Sequence, residues 1–318
     1  MLVLYSMHYT SKSSVLLKLN ALSKNYGRIK AVDSLSMQIE KGKVYGLLGP
    51  NGSGKSTTLG MVLNTINPSS GYYQWYGGDM PFKEARKKIG AIIERPNFYP
   101  YLSAIRNLHL VCKIKECSTN RIEKVLKYVD LWDRRSSKFR TFSLGMKQRL
   151  ALASSLINQP EMLILDEPTN GLDPAGIHKV RALITKIASQ GTTILLASHL
   201  LDEVEKVCTD VVIIKNGIKY FEGAVEDLSK NHGYIEIISD DIDALMKILS
   251  SHKAAKKIEV QDDKLILHLQ QDLPLNQLTK ELSQHSIFVS HLVKKTPTLE
   301  ERFLEITQNS PNDSVDSN

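Results

Sequence analysis

Apolar and polar residues alternate through Val15, Leu17, Leu19 and Ala21, and this period of two predicts a half-buried strand over residues 15–21. A second alternating stretch covers 35–39. The run Val44-Tyr45-Gly46-Leu47-Leu48 is continuously apolar, as a strand buried on both faces would be, and Gly49-Pro50-Asn51-Gly52 stops it. Further buried strands are predicted at 89–93, 162–165, 192–197 and 211–214. Helical periodicity separates them at 55–63, 121–129, 144–157 and 177–188. Strands alternating with helices predict an α/β fold, a parallel sheet covered on both faces.

After Gly223 the elements become shorter. A strand at 234–238, a helix at 242–249, strands at 257–260 and 265–269, a helix at 275–282 and a strand at 287–292 give the order βαββαβ. That order matches a small ferredoxin-like α+β unit. Residues 1–14 and 308–318 are polar and aperiodic, and are expected as a flexible N-terminal tail and a disordered C-terminal one.

Composition narrows the function classes. The 318 residues exceed one average domain, and 42% hydrophobic with 24% charged residues is ordinary for a globular protein. The net charge is +7, but its densest groups, Arg86-Lys87-Lys88 and Arg134-Arg135, are too short for a nucleic-acid arm. They are read as solvated surface, and no nucleic-acid partner is expected. Cys112, Cys117 and Cys208 are odd in number and match no zinc spacing, so they are read as reduced thiols. No apolar run approaches the roughly 18–20 residues that span a bilayer. Met1-Leu2-Val3-Leu4-Tyr5 is too short for a signal-peptide core and lacks a basic flank, so the expected location is cytosolic.

Two motifs carry chemistry. Gly49-Pro50-Asn51-Gly52-Ser53-Gly54-Lys55-Ser56 fits G-x-x-x-x-G-K-[ST], follows a buried strand and opens a helix. Backbone N–H groups of such a loop wrap phosphates, and the helix N-terminus favours their charge. Lys55 is placed to reach the β- and γ-phosphates and the Ser56 hydroxyl to bind Mg²⁺. At average residue frequencies the four fixed positions coincide in roughly one chain in a hundred of this length, and the strand–helix context makes chance rarer still. Farther on, Met162-Leu163-Ile164-Leu165 ends in Asp166-Glu167. Asp166 is expected to hold the metal through water, and Glu167 to polarise the water that attacks the γ-phosphate.

The order of motifs resembles the ABC ATPases over about residues 15–223. Phe142-Ser143-Leu144-Gly145-Met146-Lys147-Gln148-Arg149 is similar to the family signature Leu-Ser-Gly-Gly-Gln, with Leu144 for its first Gly and Met146 for its Gln. The resemblance implies that Ser143 and Gly145 meet the γ-phosphate held by an opposite subunit. Physically, Ser143 is a good N-cap for the helix that follows. Asn170-Gly171-Leu172-Asp173 is similar to the D-loop, His199 to the switch histidine, and Tyr26 to the aromatic that stacks on adenine. By the same resemblance ATP is enclosed by residues 49–57, including Thr57, with Glu167, His199 and Lys55 catalytic and Ser56, Asp166 and Glu94 toward Mg²⁺. Family members usually carry Gln at position 94. An ionised Glu only accepts hydrogen bonds and adds charge, so Glu94 is read as a direct metal ligand beside Glu167. The implied fold is an ABC-type P-loop NTPase: a mixed sheet core with a helical subdomain at about 95–140 in a 15–223 ATPase domain, then an accessory α+β domain at 224–307.

Within the family, Glu94 with Ser143-Leu144-Gly145-Met146 resembles subunits for bacitracin export or lantibiotic immunity. Tyr99-Pro100-Tyr101-Leu102-Ser103 and the ending Thr298-Leu299-Glu300-Glu301-Arg302-Phe303-Leu304-Glu305 support this. The implied assembly is two ATPase copies, head to tail, on a separately encoded transmembrane permease at the cytoplasmic face. An exporter of lipid, polysaccharide or drug stays open as an alternative. A soluble ABC ATPase acting on ribosomes or DNA is the less favoured one, since there is one cassette and no long heptad insertion at 57–142.

Overall fold

The computed structural model describes residues 14–78, 80–94, 96–229, 233–261, 264–295, 301 and 303–304. Except for Ser14, both expected tails lie outside them, as does most of the 298–305 ending. The chain forms two compact units that divide between Glu222 and Gly223.

In the first unit a hairpin of β1 (Val15–Tyr26) and β2 (Ile29–Glu40) precedes β3 (Val44–Leu48) and α1 (Lys55–Val62). Then come β4 (Ser70–Trp75), the single turn α2 (Phe82–Ala85), β5 (Ile89–Ile92), α3 (Ala104–Ile114) and α4 (Ile122–Tyr128). The stretch read as a helical subdomain thus carries α3 and α4. The unit continues with α5 (Leu144–Leu156), β6 (Met162–Asp166), α6 (Pro174–Ser189), β7 (Thr193–Ser198), α7 (Leu201–Val207), β8 (Asp210–Lys215) and β9 (Ile218–Ala224).

The central sheet has the order β5-β6-β7-β3-β8-β9, and β5 through β8 pair in parallel. A separate antiparallel sheet, β2-β1-β4, was not foreseen by the periodicity. Between the two sheets sits α1, which touches β2 and β6 and buries Thr58 through Val62. A helix buried nearly all round needs no amphipathic stripe. Tyr45, Leu47, Ile164, Leu195 and Val212 face this interior together with Leu17, Leu22, Leu35 and Ile39. The intervening residues of the parallel strands face the other way, as the period of two requires, and α5 and α7 cover them.

That second face is closed by glycine. A Cβ on Gly46 would lie 2.5 Å from Val204 Cγ1 of α7, and one on Gly90 would lie 2.5 Å from the Ser155 carbonyl oxygen of α5. The helices lie where they do because those two positions carry no side chain.

Several boundaries differ from expectation for local reasons. The alternation in β1 breaks at Ala21, whose φ of 46° marks a bulge; the register shifts between Leu19 and Leu22 and the strand then continues to Tyr26. β4 buries only Trp75, so it shows no apolar period. In α6 the apolar pattern starts three residues late, because Asp173 caps the helix by accepting from the Gly176 N–H at 3.0 Å and Pro174 opens it.

The second unit opens with α8 (Val225–Ser229) and continues as β10 (Tyr234–Ser239), α9 (Ile242–Ser250), β11 (Ala255–Gln261), β12 (Lys264–Leu269), α10 (Leu275–Gln284) and β13 (Val289–Lys295). Its sheet, β11-β12-β10-β13, is antiparallel throughout. Ile235, Ile237, Leu265 and Leu267 pack with Leu245, Leu249, Leu278 and Leu282 in its own core.

Gly90→Ala should lower stability by about 1–3 kcal/mol, the usual cost of overpacking against groups that cannot move. A urea unfolding curve checks this. An unchanged midpoint would mean that α5 can retreat from β5.

Candidate functional site

The site is set by strand register. In the parallel sheet Asp166 of β6 is level with Ala197 of β7, and Leu48 of β3 is level with Ser198. Gly49, Glu167 and His199 each follow one of these strand ends, so they emerge side by side at the carboxyl edge.

The loop after β3 turns sharply into α1. Gly54 has a φ of 104°, and a Cβ there would lie 2.4 Å from the Ala31 carbonyl oxygen; a Cβ on Gly49 would lie 2.1 Å from that of Ile214. The loop is propped from below: Gly217 N–H donates to the Ser53 carbonyl at 3.0 Å and Asp33 N–H donates to the Gly217 carbonyl at 2.9 Å. Ser53, Gly54 and Lys55 are buried, whereas Pro50, Asn51, Gly52 and Ser56 form an exposed rim with Thr57 half-buried behind them. The sequence reading missed the prop. Its signal was the Asn216-Gly217 pair, whose positive φ values of 50° and 77° make the tight hairpin turn between β8 and β9.

Lys55 Nζ donates to the carbonyls of Gly49 at 2.7 Å and Pro50 at 3.2 Å, and lies 3.6 Å from Glu167 Oε1. Burial lowers its pKa, against the pull of Glu167 and Asp166. Glu167 has a φ of 47°, and its N–H donates to the Ala197 carbonyl at 3.0 Å. Its other oxygen, Oε2, is 2.8 Å from His199 Nδ1. One carboxylate thus joins the loop lysine to the histidine that follows β7.

Asp166 is buried beside them, and its Oδ1 has no hydrogen-bond donor. Burial is the main cause raising its pKa; the Ser56 hydroxyl and Lys55 lower it, and Glu167 and Glu94 add to the rise. Glu94 itself is exposed, with a φ of 56°, just beyond β5. The donor set is therefore hard oxygen: a buried orphan carboxylate oxygen, an exposed hydroxyl and a third carboxylate within electrostatic reach. It fits Mg²⁺. Among the described residues no group of three or more His, Cys, Asp or Glu could hold a metal alone, so phosphate oxygens and water would complete the shell.

Tyr26 ends β1 at the hairpin tip, 47% exposed, with Lys24 Nζ 5.2 Å from its ring centroid. The same hairpin brings Ala31 against Gly54, so the aromatic stands on the loop's side of the unit.

Ser143 and Gly145 lie elsewhere. Ser143 caps α5 by accepting from the Met146 N–H at 3.3 Å. With Gly145, Arg149, Gly171, Asp173 and Lys179 it lines a cleft of about 290 Å³ that contains none of residues 49–57. The structure brings Lys55, Ser56, Asp166, Glu167 and His199 together and leaves Ser143 and Gly145 apart from them.

A family profile described as ABC transporter matches residues 32–170. The chain is 38% identical to the bacitracin transport ATP-binding protein BcrA of Bacillus licheniformis, over 92% of its own length and 97% of that protein's. It is 43% identical to the lantibiotic transport ATP-binding protein SrtF of Streptococcus pyogenes, over 64% of its own length and 88% of that protein's. Among solved structures it is similar to cbiO1 of Clostridium perfringens, part of the ABC transporter complex cbiONQ, with a TM-score of 0.62 and 28% identity over 68% of this chain and 91% of that one. With its loop, paired carboxylates and histidine gathered at one sheet edge and its full-length relatives, the chain belongs to the ABC transporter ATP-binding proteins, the ATP-hydrolysing subunits of these transporters.

Proposed function

We propose that this ATPase works with Mg²⁺ and drives a separately encoded membrane permease that moves an antimicrobial peptide of the bacitracin or lantibiotic kind. The observation that carries the catalytic part is the position of Glu167, held between Lys55 and His199 at 3.6 and 2.8 Å. Phosphate oxygens would replace Glu167 and the loop carbonyls as partners of the Lys55 ammonium. Glu167 is then free to accept the proton of the attacking water, with His199 orienting it and donating toward the γ-phosphate. Backbone N–H groups of Gly49, Asn51, Gly52, Ser53, Gly54 and Thr57 would surround the phosphates, Pro50 would shape the loop without donating, and Tyr26 would stack on the base. Mg²⁺ held by Ser56, Asp166 and Glu94 would neutralise charge developing on the phosphates.

Two features support the assembly. Ser143 and Gly145 present the free N–H groups of α5 to a cleft outside their own loop, so they fit the γ-phosphate of a second copy arranged head to tail. A second cleft of about 260 Å³, lined by Ile93, Phe98, Tyr99, Leu110, Val111 and Ile114, fits an apolar cytoplasmic helix of the permease. No described helix is long and apolar enough to cross a membrane. The subunit would therefore sit peripherally, on the cytoplasmic face. The cargo reading rests on the relatives' names and on the match over nearly the whole chain.

Glu167→Gln should cut turnover by about 10²–10⁴-fold, the usual worth of general-base catalysis. It should also run as a dimer on gel filtration only with ATP and Mg²⁺. Normal turnover would remove Glu167 from the base role, and a persistent monomer would remove the nucleotide-sandwiched dimer.

Glu94→Gln, by contrast, should keep turnover while raising the Mg²⁺ concentration at half-maximal rate several-fold. An unshifted Mg²⁺ titration would exclude Glu94 as a ligand.

For the cargo, co-expression with its proposed permease partner should raise the bacitracin or lantibiotic concentration that stops growth of a sensitive host. Glu167→Gln should abolish that rise. Equal sensitivity with and without the pair would send the search to lipid, polysaccharide or drug cargoes.

A further inference from the structure

Helices α3, α4 and α10 end in the same cap, as α1 does at Asn64. After α4, Asp130 has a φ of 56° and Leu131 N–H reaches back to the Leu126 carbonyl at 2.8 Å. After α10, Ser286 has a φ of 57° and Ile287 N–H reaches the Leu282 carbonyl at 3.0 Å. In both, the two residues joined across the turn are buried and apolar, the hydrophobic contact this motif normally carries. α3 ends identically: Glu116 has a φ of 53°, its N–H donates to the Lys113 carbonyl at 3.3 Å, and Cys117 N–H donates to the Cys112 carbonyl at 3.0 Å. Here the paired positions hold two thiols.

The cap that brings Leu131 to Leu126 brings Cys117 to Cys112 in the same way, and Cys112 Sγ is 3.7 Å from the Ser118 carbonyl oxygen. Inside the turn, Lys115 Nζ donates to the Ser154 carbonyl of α5 at 3.0 Å and lies close enough to act electrostatically on both sulfurs. Cys112 is buried and Cys117 half-buried. Cys208 is buried elsewhere, its sulfur beside Gly46. A disulfide needs α-carbons held close and side chains that face each other. The backbone bond across the cap supplies the first, and the side-chain apposition that this cap normally carries supplies the second.

We propose that Cys112 and Cys117 form a redox pair that closes to a disulfide across the cap of α3 when the protein meets a hydroperoxide. The more exposed sulfur reacts first. The Cys117 thiolate attacks one peroxide oxygen, the O–O bond breaks, and the leaving hydroxide takes a proton to become water, leaving a sulfenic acid on Cys117. Cys112 then gives up its proton, and its sulfur attacks the Cys117 sulfur and expels the hydroxyl as a second water. In sum, two thiols and one hydrogen peroxide become one disulfide and two waters. The order follows from burial, which pushes the Cys112 thiol up to about 11 and so disfavours its thiolate as the first attacker. Ile114 lies within the ring so closed and is 80% exposed at the α3 cleft, so oxidation would fix the turn that presents it.

The test uses the full chain, reduced, treated with hydrogen peroxide under native conditions, then denatured, blocked with N-ethylmaleimide and digested with trypsin. Lys113 and Lys115 lie between the two cysteines, so the linked peptides should be held together only by the disulfide and should separate with dithiothreitol. Free thiols should fall from three to one, with Cys208 recovered alkylated. Cys112→Ser should stop at a dimedone-reactive sulfenic acid on Cys117, and Cys117→Ser should leave Cys112 as a thiol. Should Cys112→Ser fail to fold, the half-buried Cys117→Ser still decides the matter. The proposal is overturned by a link to Cys208 or between chains, by sulfinic acid on Cys117 of the wild type without a link, or by recovery of all three thiols.

Discussion

The parallel register of β6, β7 and β3 is the constraint on which the rest of this molecule depends. Asp166 opposite Ala197 and Leu48 opposite Ser198 make three strand ends level, so the residue after each opens into one crevice. A slip of one residue would turn every side chain of a strand to the other face and carry its terminal residue away from the edge. The surrounding structure holds that register. Gly46 and Gly90 admit α7 and α5 to one face, and α1 fills the other beneath the antiparallel sheet. The turn at Asn216-Gly217 then ties the loop after β3 to the start of β2.

At the edge so formed, charge is deliberately unbalanced. Glu167 and Glu94 both act electrostatically on Asp166, which is buried with an unpartnered oxygen. Lys55 is the buried cation facing them, and two backbone carbonyls hold it as firmly as Glu167 does. Such an arrangement favours arriving positive charge at Asp166 and arriving negative charge at Lys55, which is the demand that a magnesium–triphosphate pair meets. The carboxylate at position 94 strengthens the first of these beyond what an amide would.

The helix caps illustrate how one local rule yields different chemistry. Residues of positive φ close α3, α4 and α10 with the same backbone bonds. Leu126 with Leu131 and Leu282 with Ile287 use the resulting contact for burial, whereas Cys112 with Cys117 place reactive sulfur there.

Much of this was legible in the chain because it is local. Continuous apolar runs marked β3, β6, β7 and β8, the glycine-rich loop and the Asp166-Glu167 pair announced themselves by spacing, and the βαββαβ order of the second unit followed from short alternations. What stayed hidden depends on partners distant in sequence. β4 is largely exposed and becomes a strand by pairing with β1; the break at Ala21 concealed that β1 continues to Tyr26; α3 carries a buried Asn107 that bonds the carbonyls of Tyr99, Leu102 and Ser103, which disguised its apolar stripe. By itself, then, the sequence determined where the glycine-rich loop, the paired carboxylates and the main strands lie, since those are residue types at fixed spacing. Only the tertiary structure decided that Glu167 spans Lys55 and His199, that Ser143 and Gly145 line a cleft apart from their own loop, and that two cysteines share one cap. Those are distances between elements, and they arise when strands align and helices pack.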